Sequence, residues 1–280
     1  MKYRTLYNGE MLPILGFGTW RLGGIKHPDV SQDGRIVEAI QSAIELGYTH
    51  LDTAEMYGAG HTEELVGQAI RGYERQRLQI CTKVWHTHLR YQDVLNALNG
   101  SLNRLGLDYI DIYAIHLPSE QVPLAETFRA LNYLVESGRV RHLGVSNFSL
   151  DLVKQIQEYT KTPIIMCQAP CSLYNRRYLK EGLLDYCQQN NILMAAYSPF
   201  ERGDLLENPV IHQIADKYSA TPAQVALNWI TRQEQTMVYL MSLNRDHLKE
   251  NLGSLELVLS EEDIHLLDEL EMPEEKLWPQ

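Results

Sequence analysis

Hydrophobic positions along the 280-residue chain fall into short apolar runs separated by longer stretches with helical spacing. Strands are predicted at residues 14–18, 48–52, 78–83, 109–116, 140–145, 163–168, 192–197 and 237–241. Helices are predicted between them at 31–46, 63–71, 92–105, 124–137, 150–159, 177–189 and 223–232. Several strands are apolar nearly throughout, Tyr109-Ile-Asp-Ile-Tyr-Ala-Ile115 most clearly, as suits a strand with the barrel interior on one face and helices on the other. Strand-helix alternation implies a parallel sheet, and eight units imply closure into an α/β fold of the (β/α)₈, or TIM-barrel, type. A doubly wound sheet competes with it, yet no G-x-G-x-x-G opens a helix after any strand. Residues 3–7 and 11–15 flank Asn8-Gly9, which predicts a hairpin ahead of the barrel. At the other end, 261–270 reads as an extra helix with Ser260 as its N-cap, followed by a short acidic extension. Nothing resembling a linker divides the chain, so residues 1–280 are expected to form a single domain.

Composition narrows the function classes. A hydrophobic fraction of 44% and a charged fraction of 22% describe an ordinary globular protein. The formal net charge of −11 repels phosphate backbones and anionic headgroups, which disfavours nucleic-acid and membrane partners. The sequence has neither a membrane-span run nor a signal-peptide apolar region, so a cytoplasmic location is expected. Cys81, Cys167, Cys171 and Cys187 lack metal or redox spacing and are expected to be buried, reduced thiols. A monomer is the default expectation.

In a barrel of this type the active site lies at the carboxyl ends of the strands. Asp52, Lys83 and His116 close three successive strands there, and Tyr57 lies in the loop five residues beyond Asp52. Each alone has a structural explanation, respectively a turn cap, a snorkelling cation, a core histidine and loop packing. Together they describe a general acid: a phenol whose proton is loosened by a neighbouring cation, with a carboxylate offsetting the burial of that cation.

These residues carry a resemblance to the aldo-keto reductase family running from Gly16 to about Asn251. Leu46-Gly-Tyr-Thr-His-Leu-Asp-Thr-Ala-Glu-Met-Tyr-Gly58 is similar to the family's aspartate-tyrosine signature. Thr82-Lys83-Val84-Trp85 resembles its lysine strand, and Asp111-Ile-Tyr-Ala-Ile-His116 its histidine strand. Gly144-Val-Ser-Asn-Phe148 and Ala196-Tyr-Ser-Pro199 are two further matches. The resemblance implies NAD(P)H-dependent reduction of a small carbonyl substrate. In it Tyr57 donates the proton, Lys83 and Asp52 lower its pKa, and His116 orients the carbonyl. It further implies that Ser146, Asn147 and Gln168 hold the nicotinamide carboxamide, that Tyr197 stacks on the ring with Ser198 beside it, and that Ser242, Glu250 and Asn251 bind the adenosine half. Trp20 and Trp85 match pocket aromatics, and the short loops imply an open, apolar-walled site.

One departure concerns the cofactor. Met241 and His247 stand where the family has the lysine and arginine that grip the 2′-phosphate of NADP(H). NADP(H) is expected, with NAD(H) plausible; Arg245 is the candidate replacement cation, and Asn244 the candidate partner for a ribose hydroxyl. Two other readings compete. One is a metal-dependent hydrolase using His50, Asp52, His86, His88 and His116, against which the lysine at 83 speaks because it hinders a cation. The other is a non-enzymatic nucleotide-binding protein on the same fold, against which the complete tetrad speaks.

Overall fold

The computed structural model describes residues 1–272; the end of the acidic extension, 273–280, lies outside them. The expected hairpin forms from β1 (Tyr3–Thr5) and β2 (Met11–Pro13), with Thr5 opposite Met11. It is followed by β3 (Leu15–Gly18), β4 (His50–Asp52), β5 (Gln79–Val84), β6 (Ile110–Ile115), β7 (Val140–Ser146), β8 (Ile164–Pro170), β9 (Leu193–Tyr197) and β10 (Thr236–Leu240). These eight strands, all parallel, close in the order β10-β3-β4-β5-β6-β7-β8-β9. Each lies within two residues of its predicted bounds, because long apolar runs bracketed by turn residues leave little freedom.

The strand period of two divides the side chains between two cores. Ile80, Tyr113, Ile115, Met194, Ala196, Val238 and Leu240 belong to the large outer cluster under the helices. Their neighbours Cys81, Ile112, Ala195, Met237 and Tyr239 form a second cluster inside the barrel, which Leu6 and Leu12 of the hairpin join. The hairpin therefore closes the amino end of the barrel, held by the Arg4 guanidinium, which donates to Thr231 O and Gln233 O at 2.7 Å each. A register shift between β7 and β8 adds one residue to β8, so Ile165 and Met166 both join the inner cluster.

Helices line the outside at Asp33–Glu45, His61–Ala69, Tyr91–Leu105, Leu124–Glu136, Leu150–Ile156, Pro222–Thr231 and Arg245–Leu252. The predicted helix at 177–189 is two pieces, Arg177–Lys180 and Leu183–Gln189, broken at Gly182, whose φ of +80° lies in the left-handed region. Pro209–Lys217 and Arg245–Leu252 are additions to the predicted set. The first had a readable start, since Asn208 Oδ1 accepts from Val210 N at 2.9 Å and Pro209 occupies the first turn. The second buries only Leu248 and Asn251, too thin an apolar stripe to signal a helix. The expected C-terminal helix spans Glu261–Asp268, with Ser260 Oγ accepting from Asp263 N. All four cysteines are buried and unpaired by disulfides, and among the described residues no helix is long and apolar enough to cross a membrane.

His61, opening its helix, spans Asp33 (Nε2 to Oδ1, 3.0 Å) and Glu64 (Nδ1 to Oε2, 2.9 Å). Burial opposes its charge, but hydrogen bonds to Glu64 and Asp33 outweigh that and raise its pKa. With the folded value above the unfolded one, the stabilisation is complete below the ordinary histidine pKa and is lost as pH rises through the raised value. His61→Gln is therefore expected to be less stable than the parent by about 1 kcal/mol or less at pH 6, with the gap narrowing by pH 9. Urea unfolding at both pH values reads this directly, and a gap that widens with pH refutes it.

Candidate active site

The inward side of the barrel changes character along its length. Above Cys81, Ile112, Met166 and Ala195, the next residues of the same parity are Lys83, Ala114 and then His116, Gln168 and Tyr197. The strand period thus delivers polar side chains onto an apolar floor at the carboxyl end. Lys83 is 1% exposed, and its Nζ donates to Asp52 Oδ2 at 2.7 Å, to Thr53 O at 2.8 Å and to Tyr57 Oη at 3.4 Å. On the opposite face of β5, Thr82 Oγ1 donates to buried Glu63 at 2.5 Å, and Arg104 Nε donates to that carboxylate at 2.7 Å. The lysine strand is gripped from both sides.

Burial opposes the charge on Lys83, but Asp52, joined by Tyr57 and Cys81, outweighs it and the lysine pKa rises. Tyr57 is pushed up to about 12, first by burial; Lys83 pulls it down and Asp52 pushes it up. The expected net lowering is thus corrected: the cation does act on the phenol, but burial and the carboxylate outweigh it. Tyr57 carries its proton at neutral pH. His116 is pulled down to about 3 by burial, then by Lys83 and His86, and is neutral. Its ring meets Tyr57 edge-on at 5.5 Å between centroids and Trp85 at 5.0 Å.

Asn147, in the left-handed region at φ 63°, ties the ends of three strands. Its Nδ2 donates to His116 O at 3.0 Å and to Ser146 Oγ at 2.9 Å, while Oδ1 accepts from Tyr197 Oη at 2.6 Å. Gln168 is turned into the barrel, where Nε2 donates to Asp52 Oδ1 at 2.8 Å. With the Gln168 amide engaged by Asp52, the Ser146 hydroxyl and the Asn147 amide are left to offer the donor and acceptor that a carboxamide needs. Ser198, next to Tyr197 in the chain, lines a cavity of about 240 Å³ with Pro170, Tyr174, Glu201, Arg202 and Asp204.

The remaining candidates come from other segments of the chain. Ser242 and Asn244 form the turn before Arg245–Leu252, with Asn244 Oδ1 accepting from Asp246 N at 2.8 Å. Glu250 is exposed and Asn251 buried. Met241 is 48% exposed and His247 is exposed, while Arg245 Nη1 lies 2.7 Å from Glu45 Oε2. Trp20 is 38% exposed, with the Arg21 guanidinium carbon 4.7 Å from its ring centroid. The histidines of the metal reading do not converge: His50 bonds Tyr239, His88 bonds Glu55, and among the described residues no three His, Cys, Asp or Glu side chains are grouped to hold a metal.

Glu55 escaped the sequence reading. Its Oε1 accepts from Trp85 N at 2.6 Å and meets His88 Nδ1 at 3.0 Å, fixing the loop that carries Trp85. Its position between Asp52 and Tyr57 was the available signal. Tyr239 was also missed, since a tyrosine in an apolar strand reads as core.

The sequence profile of the "Aldo/keto reductase family" matches residues 14–272. Glyoxal reductase of Bacillus subtilis is 34% identical over 271 residues, covering 96% of this chain and 92% of that protein. A crystal structure of a thermostable aldo-keto reductase bound to the inhibitor epalrestat superposes with a TM-score of 0.93 at 42% identity, covering 96% of this chain and 99% of the other. The Klebsiella pneumoniae aldo-keto reductase in complex with NADPH gives 0.87 at 32% identity, covering 96% and 95%.

Removing one partner of a buried ion pair leaves an uncompensated charge, at a cost of about 3–5 kcal/mol. Lys83→Met should destabilise by about that amount, and adding Asp52→Asn should restore about half of it, roughly 2 kcal/mol. Urea unfolding of the two single variants and the double variant reads this; strictly additive losses would show that the pair is not the source.

Proposed function

The chain belongs to the aldo/keto reductase family, and from that premise we propose that it reduces small 2-oxoaldehydes to hydroxy compounds, with Tyr57 as the proton donor. The observation that carries this reading is a phenol oxygen 3.4 Å from a buried lysine nitrogen that is itself held 2.7 Å from a carboxylate. When bound, the reduced nicotinamide supplies the hydride. The chain's own residues do the rest. Neutral His116 offers a ring N–H to the carbonyl oxygen, which polarises the carbon towards attack. As negative charge develops on that oxygen, Tyr57 transfers its proton, and the Lys83 ammonium stabilises the phenolate left behind. Asp52 keeps Lys83 charged throughout. Ser146 and Asn147 are assigned to the carboxamide, with the Tyr197 ring anchored through Asn147. The B. subtilis glyoxal reductase supports a compact oxoaldehyde as substrate.

NADPH is the proposed main cofactor, in line with the Klebsiella complex. NADH is proposed as a usable second one, because Met241 offers no charge and Arg245 is engaged by Glu45. Arg245 would have to leave that pair to serve the phosphate.

Two experiments test this reading. With methylglyoxal, loss of reduced-cofactor absorbance should report turnover, and Tyr57→Phe should lower kcat by about 10²–10⁴ while cofactor still quenches tryptophan fluorescence. A kcat within about threefold of the parent removes Tyr57 from the mechanism. In the second, NADH should be used within about 100-fold of NADPH, and Met241→Lys should raise kcat/KM for NADPH alone. A parent preference for NADPH above about a thousandfold, roughly 4 kcal/mol, would mean that another cation fills the role.

A further inference from the structure

Beneath the tetrad the barrel interior holds a second polar layer that the proposed mechanism does not use. Tyr239 Oη lies 2.8 Å from His50 Nε2, 3.1 Å from Met166 Sδ and 3.3 Å from Gln168 Nε2. The same Gln168 Nε2 donates to Asp52 Oδ1 at 2.8 Å. A carboxylate needs a donor, so the glutamine must turn its NH₂ towards Asp52, and its second N–H falls to the tyrosine oxygen. Burial lowers His50 to about 4, so it is neutral and carries a single ring proton. Its Nδ1 is buried with no partner, and an N–H left unpaired there costs more than an unpaired lone pair. The favoured tautomer therefore has Nε2–H donating to Tyr239, whose own proton points at Met166 Sδ. Tyr239 Oη becomes a double acceptor that locks the Gln168 amide in one orientation.

The backbone is shaped to admit this ring. A Cβ added at Gly16 would lie 2.9 Å from Tyr239 Cδ1 and 3.0 Å from His50 Cδ2, both rings being buried and stacked at 5.4 Å. Gln168 is the side chain whose hydrogen bonds link Tyr239 to Asp52. We infer that Tyr239 is a positioning residue for the reaction, holding Gln168 so that Gln168 holds Asp52, and through it Lys83 and Tyr57. This rests on the proton-donor reading of Tyr57.

Tyr239→Phe keeps the ring in its Gly16 cradle and removes only the acceptor. Expected are a fall in kcat of about tenfold, equivalent to about 1.4 kcal/mol, and a larger solvent deuterium isotope effect as proton transfer becomes more limiting. The Kd for NADPH, read by fluorescence quenching, should stay within about twofold. In a Gln168→Met background the same substitution should cost nothing further, since both act through one bond. A kcat within about twofold of the parent, an unchanged isotope effect, or a full further tenfold loss in the Gln168→Met background would each overturn the inference. If Tyr239→Phe unfolds, His50→Phe, which removes the donor that orients the tyrosine oxygen, should raise the isotope effect in its place; an unchanged effect there overturns the inference as well. A parent that reduces no carbonyl sinks the proposed function itself, whereas an active parent matched by Tyr239→Phe sinks only the role of Tyr239.

Discussion

An ammonium and a carboxylate 2.7 Å apart, the lysine 1% exposed, set the terms for the rest of this molecule. Removing both charges from water costs several kcal/mol each, and their attraction recovers it only if the geometry is tight and the remaining donors and lone pairs are engaged. The surroundings meet that demand. Thr53 O takes a second lysine proton, Tyr57 lies within reach of the third, and Gln168 donates to the free carboxylate oxygen. A closed parallel barrel suits this arrangement because strands from different parts of the chain converge at fixed spacing. Thr82 with Glu63 and Arg104 braces the same strand from outside.

One buried cation also governs its neighbours. Lys83 contributes to holding both His116 and His50 neutral, in each case after burial, while Asp52 acts against it on His50. The site is therefore a fixed arrangement of one positive and one negative group surrounded by neutral hydrogen-bonding side chains. Charge introduced by a reacting oxygen meets preset dipoles rather than groups that must first titrate.

How much of this could be read from the sequence depends on the range of the interaction. Strands such as Ile110–Ile115 and Leu193–Tyr197 were legible because apolar runs and turn residues are local signals. Asp52, Lys83 and His116 were legible as a group once the strands were aligned, since each follows its strand's inward register. Arg245–Leu252 was not, because its stability comes from an Asn244 cap and a narrow contact rather than from a broad apolar face. The Gly182 break, the turning of Gln168 towards Asp52 and the pairing of Arg245 with Glu45 depend on partners tens to hundreds of residues away or on backbone geometry. The sign of the Tyr57 shift was missed for a related reason: burial is a property of the whole fold, whereas the pull of Lys83 was visible from two motifs.

The space that glycine leaves at position 16 is filled from another strand, more than two hundred residues later, by the ring of Tyr239. Neither position is free to drift alone. A lineage acquiring even a methyl group at 16 has to surrender the aromatic ring at 239, and one that shrinks residue 239 opens a void that a larger residue at 16 can fill. The two sites should therefore travel as a correlated pair through descent, so that an alignment column for one predicts the other, although neither is expected to touch a reacting atom.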